Sequence, residues 1–323
     1  MADASAAPST DRLLAREWFK VPGVNSTIEH VWQLPSSRLP PRGLVLLAHG
    51  CRQTPRVWFS AAPGCEDCIA RPEERCIASR LSAAGYALLA AGNLKGSKGC
   101  WETNDVMSVA ALLHTWRRKH EKAVPSRLPL FLLGPSSGGF FVTQAARSWR
   151  NVRALSVQIS VPSLDDIRAP LPSGSKDFPP LQLVLMQRDA GKLHEATALR
   201  GALSTRGAFE QLVVEPRPVS PNFFSDAMPG FEPELSRAVR DGLVKKGYVD
   251  KSTYMVKSHP SRGAWRETVL KALDKGKKQG LAQHSLQVTM DGIFARLDLA
   301  YAYHASTCEV VNRTLVFFER HLS

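Results

Sequence analysis

Several features are missing from this 323-residue chain, and each absence narrows what it can be. No apolar run approaches the roughly 18 residues a membrane span needs, so no transmembrane segment is expected. The opening MADASAAPSTDRLLAREWFK has no continuous apolar stretch of the kind that directs secretion, and Asp3, Asp11 and Glu17 argue against a transit peptide. Cytoplasm is therefore the default compartment, with an organellar or secreted location instead if the cysteines pair. No zinc-finger, RNP or P-loop signature occurs, so no specific nucleic-acid recognition is expected, nor any cofactor. There is no internal repeat.

Positive charge, by contrast, is in excess. The formal net charge is +13, which favours attraction to an anionic surface or substrate and says nothing about fold. Between Glu232 and Gly280 twelve Lys and Arg face six Asp and Glu, so this stretch holds almost half of the excess. A solvated helical surface accounts for it; weak association with an anionic surface is the alternative.

The N-terminal part alternates β-rich runs with helix-like segments. Glu17 to Pro22 and Thr27 to Leu34 read as a hairpin, and GLVLLAH, Gly43 to His49, as a buried strand. PEERCIASRLSAAG is helix-like, opened by Pro72 and closed by Gly85, and strand pattern resumes over Tyr86 to Ala91. Asp105 to His120 reads as an amphipathic helix, and Leu128 to Leu133 as a strand running into GPSSGG and the helix-like FFVTQAARSWR. Further strands are expected over Ala154 to Val161, Leu181 to Met186 and Phe209 to Val214. Alternation of this kind predicts an α/β fold with a mostly parallel central sheet flanked by helices. After Arg217 the rhythm stops, and the reading is a flexible N-terminus over 1–16, a core over 17–216, a small helical insertion over 217–283, and the C-terminal part of the core over 284–323.

Within this frame, Gly134-Pro135-Ser136-Ser137-Gly138 carries the chemistry. A serine hydroxyl is a poor nucleophile until a base takes its proton, and the sharp turn that exposes it leaves no room for side chains on either flank. Composition alone produces G-x-S-x-G on the order of once in ten chains of this length. The strand before it and the helix after it make it a nucleophile elbow.

With these residues the chain resembles the α/β-hydrolase superfamily, from about Glu17 to Pro216 and again from about Leu281 to Leu322. The resemblance implies a chain order of serine, acid, histidine, the acid after a late strand and the histidine before a closing helix. His304, in AYAYHASTCEVV, takes the place of the base, ahead of His259 in KSHPSRG and His284. Asp189, at the end of LQLVLMQRDAG, takes the place of the acid; its other reading is a cap on the helix that follows, and Asp165 and Asp166 are the runner-up acids. The oxyanion donors implied are the backbone N–H groups of Ser137 and Cys51, with Arg52 the alternative to Cys51.

Five of the six cysteines, Cys51, Cys65, Cys68, Cys76 and Cys100, fall within fifty residues, and Cys308 stands apart beside His304. Only Cys65-x-x-Cys68 has metal-ligand spacing, so no metal is expected. If the family's strand order holds, Cys51 and Cys100 emerge at one sheet edge, where a disulfide would pin the oxyanion loop; buried reduced thiols are the alternative. HGC, CxxC and CW together resemble a branch of α/β-hydrolases from plants and algae. Two N-x-S/T sequons, at Asn25 and Asn312, would matter only in a secretory compartment.

The function expected is a serine esterase acting on a small-molecule acyl substrate, the bond being ester, thioester or amide. The insertion would cover the site, with Phe223, Phe224, Tyr248 and Trp265 as candidate lining residues; core packing is their other reading. The competing expectations are a ligand-binding protein on the same scaffold, without turnover, and a hydrolase docked to anionic lipid or nucleic acid through its basic insertion.

Overall fold

The computed structural model describes residues 14–35, 40–96, 99–172, 174, 177–203, 209–256, 262–278 and 286–322. Eight strands form one sheet: β1 (Leu14–Lys20), β2 (Thr27–Gln33), β3 (Leu44–Ala48), β4 (Ala87–Ala91), β5 (Leu130–Pro135), β6 (Val152–Gln158), β7 (Leu181–Met186) and β8 (Phe209–Val214). Their spatial order is β1-β2-β4-β3-β5-β6-β7-β8. The β1–β2 hairpin is antiparallel and β2 joins β4 antiparallel, whereas every other pairing is parallel.

The apolar runs become strands buried on both faces, and their side chains alternate between two cores with the period of two that a pleat imposes. Leu44, Leu46 and Ala48 of β3 face one core, Val45 and Leu47 the other. The first core is filled by Val109, Leu112 and Trp116 of α2 (Asp105–Lys119) and by Phe141, Val142 and Ala145 of α3 (Ser137–Ser148). The second is filled by Ile77 and Leu81 of α1 (Pro72–Ala83) and by Phe317 and Phe318 of α9 (Val311–Glu319). Two further helices follow late strands: α4 (Leu164–Arg168) after β6, and α5 (Ala190–Leu203) after β7.

Strand boundaries differ from the expected ones where turn-forming residues lie in register. Gly134 and Pro135 read as the start of a turn, yet they extend β5 because they pair with Val157 and Gln158 of β6. Likewise β1 begins at Leu14 rather than Glu17, since the hairpin register runs on to Leu14 opposite Gln33.

Beyond β8 come α6 (Pro233–Lys245), α7 (Arg262–Lys278) and α8 (Leu286–Tyr301). They have their own apolar cluster, in which Val239 and Leu243 of α6 and Trp265 and Val269 of α7 pack with Met290, Ile293 and Leu297 of α8. The sequence reading assigned α8 to the C-terminal part of the core. Its side chains instead serve both units, because Leu299 and the following Ala302 pack with Val184 and Met186 of β7.

The order reverses at β3, which has β4 on one side and β5 on the other. At such a switch point the loops leaving adjacent strands diverge and open a crevice at their carboxyl ends. The loop after β3 carries His49-Gly50-Cys51, and the turn after β5 carries Ser136.

Candidate active site

Ser136 links β5 directly to α3, with φ 53° and ψ −120°. A non-glycine residue at such positive φ costs of order 1–3 kcal/mol and persists only where its surroundings hold it. Here the Ser136 N–H donates to the carbonyl of Gln158 at 2.8 Å. The flanking glycines are required by close approach: a Cβ on Gly134 would lie 2.5 Å from the Gly138 carbonyl carbon, and one on Gly138 would lie 2.5 Å from the carbonyl oxygen of Ala48. Both obstacles are backbone and cannot swing away.

His304 and Asp189 meet this serine from two other loops. His304 Nε2 lies 3.0 Å from Ser136 Oγ, and His304 Nδ1 lies 3.4 Å from Asp189 Oδ2. Asp189 is 8% exposed. Its other oxygen, Oδ1, accepts the Lys192 N–H at 3.4 Å, so the two sequence readings of Asp189, imidazole partner and helix cap, are both present in one side chain. With Nδ1 protonated toward the carboxylate, Nε2 carries the lone pair facing the hydroxyl, which is the tautomer a general base needs.

The runner-up acids are placed elsewhere. Asp166 closes a capping box with Ser163 at the start of α4 and accepts from Gln144 Nε2 at 2.7 Å, while Asp165 is an exposed residue of the same first turn. His259 and His284 lie outside the described residues.

The loop after β3 is tied to the loop after β4 three ways. Cys51 and Cys100 form a disulfide, the Arg52 N–H donates to Gly99 O at 3.0 Å, and Trp101 Nε1 donates to His49 O at 2.7 Å. The indole also stacks on Phe141 of α3, ring centroids 4.0 Å apart. Asp105 holds the partner loop by accepting the N–H groups of Leu94 and Glu102, at 2.8 and 2.7 Å. Burial nevertheless raises its carboxyl above the usual range. The juxtaposition of HGC with CW thus has a physical reason: each half closes the other. Since Arg52 spends its N–H on Gly99, it drops out as an oxyanion donor. The Cys51 N–H has no partner among the described residues, and the Ser137 N–H belongs to the first turn of α3, where a helix leaves its amide groups unpaired.

Some contributors were not legible in the sequence. Gln158 supports two sides of the site at once: its carbonyl takes the Ser136 N–H, and its side chain accepts from Thr307 N at 2.9 Å and donates to Thr307 O at 3.1 Å. Glu73 and Glu74, which look like ordinary acidic residues of a helix first turn, are buried. Glu74 accepts from Ser306 Oγ at 2.7 Å; Glu73 accepts from the Cys308 N–H at 2.7 Å and from Arg296 of α8 at 2.6 Å. Cys308, expected to stand apart, is bonded to Cys76 of α1, and Cys65 to Cys68. Two of the three disulfides therefore clamp the segments that carry His304 and Cys51. The expected lining aromatics Phe223, Phe224 and Trp265 are core side chains of the insertion, with Tyr248 packed against the same cluster, so the core-packing reading holds for them.

The architecture is that of the α/β-hydrolase fold. No protein-family model matches the chain, and no curated protein matches its sequence. Solved structures similar to it include a cold-adapted esterase from an Arctic intertidal metagenomic library, at 15% identity over 68% of this chain and 88% of that one, TM-score 0.43. An alpha-beta serine hydrolase homologue from Coxiella burnetii is 14% identical over 62% of this chain and 87% of the other, TM-score 0.42. A dienelactone hydrolase from Anabaena variabilis is 18% identical over 64% and 87%, TM-score 0.43.

Proposed function

We propose that the protein is a serine hydrolase that cleaves an ester, thioester or amide bond through an acyl-enzyme on Ser136. The observation that carries this reading is the 3.0 Å approach of His304 Nε2 to Ser136 Oγ, with Asp189 behind the ring. In the first half-reaction Ser136 Oγ attacks the acyl carbon as Nε2 takes its proton, and the carbonyl oxygen becomes an oxyanion facing the N–H groups of Cys51 and Ser137. Collapse breaks the bond to the leaving group, which takes the proton from Nε2. A water then attacks the acyl-enzyme, giving its proton to the same nitrogen; collapse breaks the bond between the acyl carbon and Ser136 Oγ, Oγ takes that proton back, and the acid is released. Asp189 accepts the Nδ1–H throughout and stabilises the imidazolium.

The insertion over 217–283 acts in this reading as a cap, working together with α8. Supporting it, Arg75 Nη2 of the core donates to Ala227 O of the insertion at 3.2 Å, and Arg188, next to Asp189, donates to Met255 O at 2.8 Å. Three disulfides support an oxidising compartment rather than the cytoplasmic default, since such bonds persist where thiols are not kept reduced. No helix among the described residues is long and apolar enough to cross a membrane.

A fluorophosphonate probe tests the function. Wild type should label, and Ser136→Ala and His304→Ala should not, with hydrolysis of 4-nitrophenyl esters falling by about 10⁴ or more in each. A wild type that folds but neither labels nor turns over esters would leave only the ligand-binding alternative.

A further inference from the structure

A cleft of about 640 Å³ opens immediately beyond Cys51, between the segment 52–75 of the core and the insertion near Met228, with α8 behind it. Its lining includes neither Ser136 nor His304, but it begins at Arg52, the residue after Cys51. Its size is that of a small-molecule site, and Val57, Ile69 and Met228 give it an apolar body.

Its charge is unusual for such a cleft. Four arginines line it, Arg52, Arg56, Arg71 and Arg75, against Asp67 and Asp291. Arg56 is neutralised by Glu29 and Asp67, each at 3.1 Å, and Arg75 spends Nη2 on the Ala227 carbonyl. Arg52 and Arg71 have no carboxylate partner among the described residues. A guanidinium fork matches a carboxylate in geometry as well as charge, and two such groups without carboxylates leave the cleft with positive charge to pair.

We propose that this cleft binds the carboxylate end of an anionic ester, paired by Arg52 and Arg71, while the ester carbonyl lies at Ser136. The catalytic half of this statement rests on the hydrolase reading, and the binding half stands without it.

Two measurements separate them. First, glutarate is titrated calorimetrically into Ser136→Ala protein with and without Arg52→Gln or Arg71→Gln; each arginine change should weaken binding about tenfold or more, as loss of a charge-assisted bond does. Arg71→Lys, which keeps the charge and loses the fork, should fall between. Second, kcat/KM is compared for the mono-4-nitrophenyl ester of glutarate and for 4-nitrophenyl valerate, which has the same chain without the charge. The anionic-to-neutral ratio should exceed one in wild type and fall about tenfold or more in each Gln variant. Glutarate binding without turnover of either ester keeps the subsite and sinks the hydrolase reading. Turnover with no glutarate binding and an unchanged ratio overturns the subsite and leaves the hydrolase. The Arg52 side chain is exposed, so its replacement removes no core packing and its result stands even if Arg71→Gln fails to fold. Arg71-dependent binding of inorganic phosphate tighter than that of glutarate overturns the carboxylate assignment.

Discussion

Deleting the three disulfides one pair at a time should destabilise the protein in the order of the chain each one closes. The bonds span 3 residues for Cys65–Cys68, 49 for Cys51–Cys100 and 232 for Cys76–Cys308. Loop-closure entropy in the unfolded chain then gives about 2, about 4 and about 5.5 kcal/mol, as upper values because a compact unfolded chain has less entropy to lose. The assay is urea unfolding of the three Cys→Ala pair variants against wild type, with free thiols alkylated in denaturant beforehand. Wild type should take up no alkyl group before reduction and six after it. The Cys76→Ala/Cys308→Ala variant should also lose esterase rate beyond its stability loss, since Cys308 lies four residues from His304 and its bond fixes that loop on α1. Alkylation of wild type without reduction, or a Cys76–Cys308 deletion milder than that of Cys65–Cys68, would refute the reasoning.

Arg296→Met leaves Glu73 buried without its cation and should cost about 3–5 kcal/mol, whereas Lys271→Ala, which breaks an exposed pair with Glu267, should cost less than about 1 kcal/mol; denaturant midpoints at constant m-value decide. Gln158→Leu removes both bonds to Thr307 while keeping the backbone bond to Ser136, so kcat should fall about 10–100-fold with the rate of fluorophosphonate labelling falling in parallel. Burial holds His30 and His49 neutral, each with its pKa pushed down to about 4. The stability this represents is complete above pH 6.5, the ordinary imidazole value, and is lost as pH falls from there toward 4, because the unfolded chain binds the protons first. At pH 5 each ring should have cost about 2 kcal/mol, and urea midpoints for His30→Gln should decline less between pH 6.5 and pH 5 than those of wild type.

Legibility followed the range of the physics involved. The sheet strands and their flanking helices were readable because a buried strand and an amphipathic helix write their periods into consecutive residues. Gly134 and Gly138 around Ser136 were readable for a similar reason, since the elbow is a local backbone shape. His304 and Asp189 were nameable from chain order alone, yet that Asp189 rather than Asp165 or Asp166 faces the ring depended on which loop folds toward α8. Gln158, Glu73, Glu74 and Arg296 were invisible, because a polar residue in a strand or in a helix first turn looks solvated until the fold buries it. The pairing of Cys308 with Cys76 was equally hidden, as spacing carries no information about partners 232 residues apart.

By itself, then, the sequence determined the alternating α/β architecture and the position of the strained serine, both consequences of short-range periodicity and backbone sterics. Tertiary structure alone decided what surrounds that serine, namely which acid faces the histidine and which sulfurs lock the two loops, and which arginines line the neighbouring cleft with no carboxylate partner among the described residues. Those are contacts between residues far apart in the chain, and their energies exist only once the sheet has brought the loops together.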